Sequence, residues 1–535
     1  MFNQIKNQIH ISKFYQERKS MSEFHKLTRR SFTKGIVGTA LFPFLSTLAS
    51  RLIAEDSFID VPPAAIAYLM ADEARRPATL TEKLTEKMER GVPGIKRWWV
   101  ENWKDPAQVF EWKVRAEHAG KYEATIMISA PPGSPVVIEG PRGQLNLATS
   151  EPEFNYYGPN FRGYYWDRIT LPTPLSLPKG ESTIRVHLLK PVTEGSFGAA
   201  LKSIELLNVE ARPAVNERLR KFRSNASWLT DAKFGFMCQC GEWSYPPHGP
   251  HKPWPEMVDK FDVEKFAELV DSTGAGYAIW SATWSTYFFP APIRTIDDIM
   301  PGRTSKRDLI GEMAEALAKR DIRLMLYYHL GQSTSPQNGT WWSKNWVSAG
   351  DKSLFVRNWC SILKEVGERY GDKLAGWMFD DEEICYPMPY EIVGKSAKAG
   401  NSSRIISYNS WIQARGTDFQ DFQFGDGFHG NEALPESAHG IWPSGPMKGL
   451  QAHGDFQLDG PNWGINRPDE IITKPFFSAK EATDLALVAA KHNFALSWNL
   501  EMYDDGSVSE ESLKVFQQAG SAVRKLYPRK KISGS

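Results

Sequence analysis

Trp228-Leu-Thr-Asp-Ala-Lys-Phe-Gly-Phe-Met-Cys-Gln-Cys-Gly-Glu-Trp-Ser-Tyr-Pro246 opens the half of the chain in which strands and helices alternate. Within it, Lys233–Gly241 reads as a strand: a short apolar run closed by glycine. Val263–Ser272 follows as a helix, with Phe266, Leu269 and Val270 at helical spacing on one face. Tyr277–Thr283 is the next strand. Arg307–Lys319 is a helix with Leu309, Ile310, Met313 and Leu317 turned inward. Ile322–His329 is apolar enough for a parallel strand covered on both sides. A helix over Leu354–Tyr370 leads to the strand Leu374–Asp380. Ser478-x-x-Glu481 is a capping box before a helix at 479–492, and Phe494–Leu500 is a late strand. Repeated strand-then-helix units predict an α/β fold, a (β/α)8-type TIM-like barrel over 213–530, with its active site at the C-terminal ends of the strands.

Residues 95–212 obey a different rule. Ala119–Ile128 alternates as a strand does, and 134–138, 183–188 and 201–207 are further apolar candidates. Pro131-Pro-Gly133 and Pro178-Lys-Gly180 separate them, a pattern that predicts a β-sandwich. Residues 51–94 read as a polar linker. Residues 1–50 carry a targeting pattern: Thr28-Arg-Arg-Ser-Phe-Thr-Lys34, then an apolar stretch from Gly35 to Ala49. That stretch is short for a membrane span and suits a twin-arginine export signal, so the protein is expected to be periplasmic or secreted, without stable membrane insertion after signal removal.

A formal net charge of +1 over 535 residues gives no electrostatic drive toward nucleic acid or an anionic membrane. The 19 Trp, 18 Tyr and 29 Phe mean either a large aromatic core or rings that stack on sugars. Four cysteines are too few for a disulfide scaffold. Cys238 and Cys240 share one face of a strand, with Gln239 on the other, and read as buried thiols or, more weakly, as a Cys-x-Cys metal site. No motif calls for a cofactor, and no metal is expected.

The opening stretch resembles the first barrel strand of glycoside hydrolase family 29, the α-L-fucosidases. Trp228, Asp231, Lys233, Phe234, Gly235, Gly241, Ser244 and Pro246 fall in register with the family's pattern. Ser305–Glu312 is similar to its P-K-R-D-L-V-G-E, Leu324–Tyr328 to its G-L-Y-Y strand and Pro461–Gly464 to its S-W-G-Y. Asn493–Asn499, followed by Asp504-Asp505-Gly506, resembles its G-N-L-L-L-N segment. Residues 95–212 look like the carbohydrate-module-like sandwich often attached to these barrels, which usually follows the barrel and here precedes it. Sugar binding by this module and a purely structural role are both open.

The resemblance implies a retaining exo-glycosidase acting on terminal α-linked 6-deoxy or related sugars, with an oligo- or polysaccharide as partner. Asp380, in Trp377-Met-Phe-Asp380, is in register with the family's nucleophile. The acid/base region falls at Asp455, with His453 beside it as an alternative acid and Glu432 and Asp426 on the preceding segment. The acidic run Asp380–Glu383 also has the oxygen ligands that Ca²⁺ takes. Three departures stand out. Gln239 replaces a substrate-binding histidine, and Trp284 and Ser285 replace two more. Buried polar groups must match substrate hydroxyls, so these changes imply an altered sugar preference. Substrate contacts are expected from Gln239, Trp284, Ser285, Trp463 and His329. Lys233 and Arg307 match the family and read equally well as structural ion-pair partners. The alternative function is a non-hydrolytic carbohydrate-binding protein on the same scaffold.

Overall fold

The structure is a computed structural model and describes residues 58–83, 99–149, 166–193, 198–283, 287–330, 353–380, 382–409, 415–424, 440–443, 447–460, 463–472 and 474–532. The export motif, Trp284, Ser285, Asp426 and Glu432 lie outside the described residues.

Alternation of apolar and polar residues builds the first part. Its described strands are β1 (Ile59–Val61), β2 (Ala67–Met70), β3 (Thr81–Lys83), β4 (Trp99–Trp103), β5 (Phe110–Ala116) and β6 (Gly120–Ser129). They continue with β7 (Pro135–Gly140), β8 (Gly143–Ala148), β9 (Trp166–Thr170), β10 (Leu175–Leu177), β11 (Gly180–Leu188) and β12 (Ala199–Asn208). One sheet runs β1-β5-β11-β7-β8; the other runs β10-β6-β12-β4-β3, with β2 and β9 attached to it. Val61, Phe110, Val114, Ile126, Ile138, Val186 and Leu201 are buried in a common core. Residues 51–94, expected as linker, therefore supply three strands. Each is only three or four residues long, too short to show periodicity, and β2 is fixed by its pairing with the distant β12.

β12 is buried along its whole length. Leu201, Ile204 and Leu206 enter the sandwich core. Ser203 shares a 2.7 Å hydrogen bond with the Tyr386 hydroxyl, and Glu205 pairs at 2.6 Å with Arg168, which also reaches Asp418 at 3.3 Å. The sandwich is thus tied by buried polar contacts to the segment that follows.

That segment carries a parallel sheet: β13 (Phe234–Cys238), β14 (Tyr277–Thr283), β15 (Arg323–His329), β16 (Leu374–Asp380), β17 (Ile405–Tyr408), β18 (His453–Gln457) and β19 (Ala495–Asn499). Their order is β17-β16-β15-β14-β13-β19-β18. Several connecting helices start where side chains satisfy orphan N–H groups. Asp262 accepts from Lys265 N, Asp308 from Gly311 N, and Ser478 and Glu481 form the expected capping box. Strand alternation separates two cores. Phe236, Trp280, Tyr328, Trp377, Phe379 and Trp498 face the helices. Met237, Tyr277, Ile279, Met325, Tyr327, Met378 and Ile405 pack together on the other face. Cys238 and Cys240 join the helix-side core, and burial pushes the Cys240 thiol up to about 12. Arg404 is fully buried and donates to the carbonyls of Leu374, Ala397, Ala399, Gly367 and Gly371 at 2.7–3.0 Å.

Seven strands of this sheet are described, and among the described residues no eighth strand joins it. The segment 420–423 bonds both to β17 and to Gln451, ahead of β18, in a mixed pattern. Asp421 N donates to Ile406 O at 2.9 Å, while the Asp421 and Gln420 side chains accept from the amides of Ile406 and Tyr408 at 2.8 and 3.1 Å. Gln423 N donates to Gln451 O at 2.8 Å. Side chains supply the acceptors that a regular ladder would provide. Among the described residues no helix is long and apolar enough to cross a membrane.

Candidate active site

The period of two along a strand decides what reaches the interior face. On β16 that face carries Met378 and then Asp380, the last residue of the strand and partly exposed. The Tyr327 hydroxyl donates to one carboxylate oxygen of Asp380 at 2.7 Å, and the Asn409 amide donates to the other at 2.8 Å. Asn409 is itself fixed by its backbone, its N–H donating to Phe379 O at 2.7 Å and its carbonyl accepting from Glu382 N at 3.0 Å. Two neutral donors, one per oxygen, hold the carboxylate in one orientation. A carboxylate so held at a strand end can present an oxygen to an electrophilic carbon.

The neighbouring strands end in polar residues as well. His329 closes β15, is buried, and is the register partner of Asp380. Gln457 closes β18 opposite Asn499, which closes β19. Gln239 follows β13, on the side away from Cys238 and Cys240, and is buried. Asn499 Nδ2 donates to Trp463 O at 3.2 Å. A Cβ on Gly464 would lie 2.4 Å from Gln239 O, so the 463–464 turn rests directly on Gln239. The structure therefore gathers Asp380 with His329, and Gln239 with Trp463.

Asp455 lies deeper. It is fully buried on β18 beside Ser497, two residues below Gln457 and two above His453. Below it, Ser497 Oγ bonds the Tyr277 hydroxyl at 3.0 Å and His453 Nε2 at 2.9 Å. Burial first, and the charge of Asp455 in addition, push the Tyr277 phenol above its ordinary range against the Ser497 hydrogen bond. Burial pushes His453 down to about 3. An imidazole that stays neutral above that pH, enclosed by Phe422, Phe424 and Tyr277, is unsuited to donating a proton to a leaving group.

Lys233 and Arg307 have structural partners. Lys233 precedes β13, at the end of the strand away from Gln239, and donates to Asn493 Oδ1 at 2.6 Å and Ala490 O at 3.1 Å. Arg307 donates to the carbonyls of Val258, Asp259 and Phe261 and pairs with Glu312 at 2.5 Å. A small cavity of ≈ 20 Å³ is lined by Tyr68, Arg168, Glu205 and Asp418, with Val215 and Leu219 of the helix Arg212–Phe222, and includes none of the strand-end polar residues. Sequence reading missed Asn409 and Gln457 as site residues and met Tyr327 only as part of a strand. The available signal was a polar residue ending an apolar run, which for β17 is just four residues long.

Comparison with known proteins matches this part of the chain. Residues 255–408 match the family model described as Alpha-L-fucosidase, under a third of the chain. A Caenorhabditis elegans protein named "Putative alpha-L-fucosidase" is 29% identical over 138 residues, which span 19% of this chain and 28% of the relative. Among solved structures, an α-L-fucosidase of family 29 from Bacteroides thetaiotaomicron aligns at 15% identity and TM-score 0.39, covering 56% of this chain and 73% of its own. The Lactobacillus casei α-L-fucosidase in complex with its α-L-fucose product aligns at 16% and 0.40, covering 56% and 98%. An endo-fucoidan hydrolase of glycoside hydrolase family 107 aligns at 12% and 0.46, covering 56% and 54%. Residues 255–408 are thus similar to α-L-fucosidases, as the motifs of this part of the chain imply.

Proposed function

We propose that this α-L-fucosidase-like chain is an exported, retaining exo-glycosidase that removes terminal α-linked 6-deoxy or related sugars from oligo- or polysaccharides. The observation that carries this reading is the Asp380 carboxylate, held at a strand end by Tyr327 and Asn409. The family match supports hydrolysis over mere binding. In this reading the sheet closes into a (β/α)8-type barrel through the segment 420–423, and the strand ends form its catalytic face.

Asp380 attacks the anomeric carbon, the glycosidic C–O bond breaks, and a second carboxyl group, Asp455 or Glu432, gives its proton to the departing oxygen. The same group then takes a proton from water, which attacks the glycosyl-enzyme and releases sugar of unchanged anomeric configuration. Retention calls for a carboxyl separation of about 5–5.5 Å. Gln239, Trp284 and Ser285, standing where the family has histidines, support a sugar preference other than simple fucosides. Export is proposed from the Thr28–Lys34 motif and the apolar stretch after it.

The test is hydrolysis of a panel of aryl glycosides and plant or algal oligosaccharides, with NMR of the first-formed anomer. Asp380→Asn is expected to abolish turnover while leaving the melting transition in place, with azide restoring part of the rate. Wild-type-like turnover in Asp380→Asn, or an inverted first product, overturns the assignment.

A further inference from the structure

Three amide side chains at adjacent strand ends have hydrogen-bonding capacity that the described protein leaves unused. Gln457, Asn499 and Gln239 lie on β18, on β19 and just beyond β13, which are consecutive in the sheet, with Gln457 registered on Asn499 and Asn499 on Met237, two residues before Gln239. All three are at most 5% exposed. Among the described residues, the Gln239 and Gln457 side chains have no protein partner. The Asn499 amide is half used: its Nδ2 donates to Trp463 O at 3.2 Å, which fixes which way the amide points, while its buried Oδ1 has no partner. A buried polar atom without a partner is costly, and a ligand group that pairs with it removes that cost.

The chemistry of the missing partner follows from the orientation of Asn499. Its open atom is an acceptor, so the ligand must bring a donor. A hydroxyl does this; a sulfate ester or carboxylate, which only accepts, does not. The glutamine amides on either side each offer donors and an acceptor, which suits hydroxyls on adjacent ring carbons. Trp463, half-buried and held to Asn499 by its carbonyl, puts an aromatic residue beside the amides. β19 stands four places from β16 in the sheet order, so the arc and Asp380 belong to different parts of the rim.

We infer that Gln457, Asn499 and Gln239 form a subsite for adjacent hydroxyls of an uncharged sugar ring. This rests on the glycosidase reading for its ligand class, and its test is kept apart from turnover. Binding of L-fucose, L-rhamnose and D-galactose, their single-deoxy analogues and a sulfated form of each is measured by calorimetry on full-length protein carrying Asp380→Asn. Gln457→Met is the variant least able to disturb the fold, because its amide has no protein partner; Asn499→Leu removes the open acceptor, with thermal melts recorded for both. Each variant is expected to weaken the best-bound hydroxylated sugar about 3- to 10-fold. The analogue lacking the contacted hydroxyl is expected to bind parent and variant alike, and the sulfated form to bind more weakly than its parent sugar. Unchanged affinity in both folded variants, equal losses on every deoxy analogue, or no binding of any uncharged probe overturns the subsite. If the wild type cleaves no glycoside yet the variants weaken binding as stated, the glycosidase reading fails and the subsite stands. If cleavage is sound but neither Kd nor KM moves, the reverse holds.

Discussion

Replacing His453 by glutamine should make the protein less sensitive to acid, by an amount the structure sets. An imidazole ordinarily titrates near 6.5, and His453, fully buried between Phe422, Phe424 and Tyr277, titrates at about 3. Between those values the unfolded chain binds a proton that the native protein refuses. Stability is therefore full above pH 6.5 and falls as the pH drops toward 3. Each pH unit in that window is worth about 1.36 kcal/mol, so the loss is roughly 2 kcal/mol at pH 5 and about 5 kcal/mol at pH 3. Asp459 works the other way. Burial lifts its carboxyl to about 6, so the native protein gains stability as the pH falls from 6 toward 3.8. Both terms act in the wild type, but Asp459 is present in His453→Gln too and cancels in the difference. Glutamine can still bond Ser497 and carries no charge at any of these pH values. Lost ring packing then shifts its stability by an amount independent of pH. Urea unfolding of both proteins at pH 7, 6, 5 and 4 should show the wild-type-minus-variant difference fall by about 1.36 kcal/mol per unit below 6.5. A difference that is flat with pH would mean that His453 is reached by water or protonated in the native state, and the account of the interior would be wrong.

Tyr327→Phe and Asn409→Ala each remove one hydrogen bond from the Asp380 carboxylate. Each should lower kcat/KM by about 10- to 150-fold, from the roughly 1.5–3 kcal/mol of a hydrogen bond to a charged group, with little change in Tm. Steady-state kinetics on the best substrate of the panel decides this, and unchanged rates in both variants would rule out an orienting role. Arg404→Met leaves five carbonyls without their donor and is expected to cost about 3–5 kcal/mol by urea unfolding; a loss under about 1 kcal/mol would show that water or neighbouring amides replace the guanidinium. Changing Arg29 and Arg30 to lysine should hold the precursor in the cytoplasm on fractionation, and unchanged delivery would make the pair incidental.

The alternating strand–helix plan is legible in the sequence. Buried parallel strands such as Tyr277–Thr283 and Leu374–Asp380 are continuous apolar runs, and helices such as Val263–Ser272 carry a cap and an apolar face, signals contained within ten or so neighbouring residues. Also legible are the strand-end place of Asp380 and the turning of Cys238 and Cys240 away from Gln239, since alternation needs no distant partner. The rest depends on contacts between distant parts of the chain. β1, β2 and β3 are strands because residues far along the chain pair with them, not because of their own pattern. β17 and β18 are four and five residues long, and β18, His-Gly-Asp-Phe-Gln, looks polar although it is buried throughout, with His453 bonded to Ser497 of the neighbouring strand. The same holds for the partners of Asp380. Tyr327 and Asn409 lie 53 and 29 residues from it in sequence, and only the order β17-β16-β15 brings their donors to its two oxygens. Local periodicity fixes which face a side chain takes; which strands stand beside one another is set by packing over the whole chain, and a hydrogen bond between neighbouring strands leaves no trace in the spacing of either.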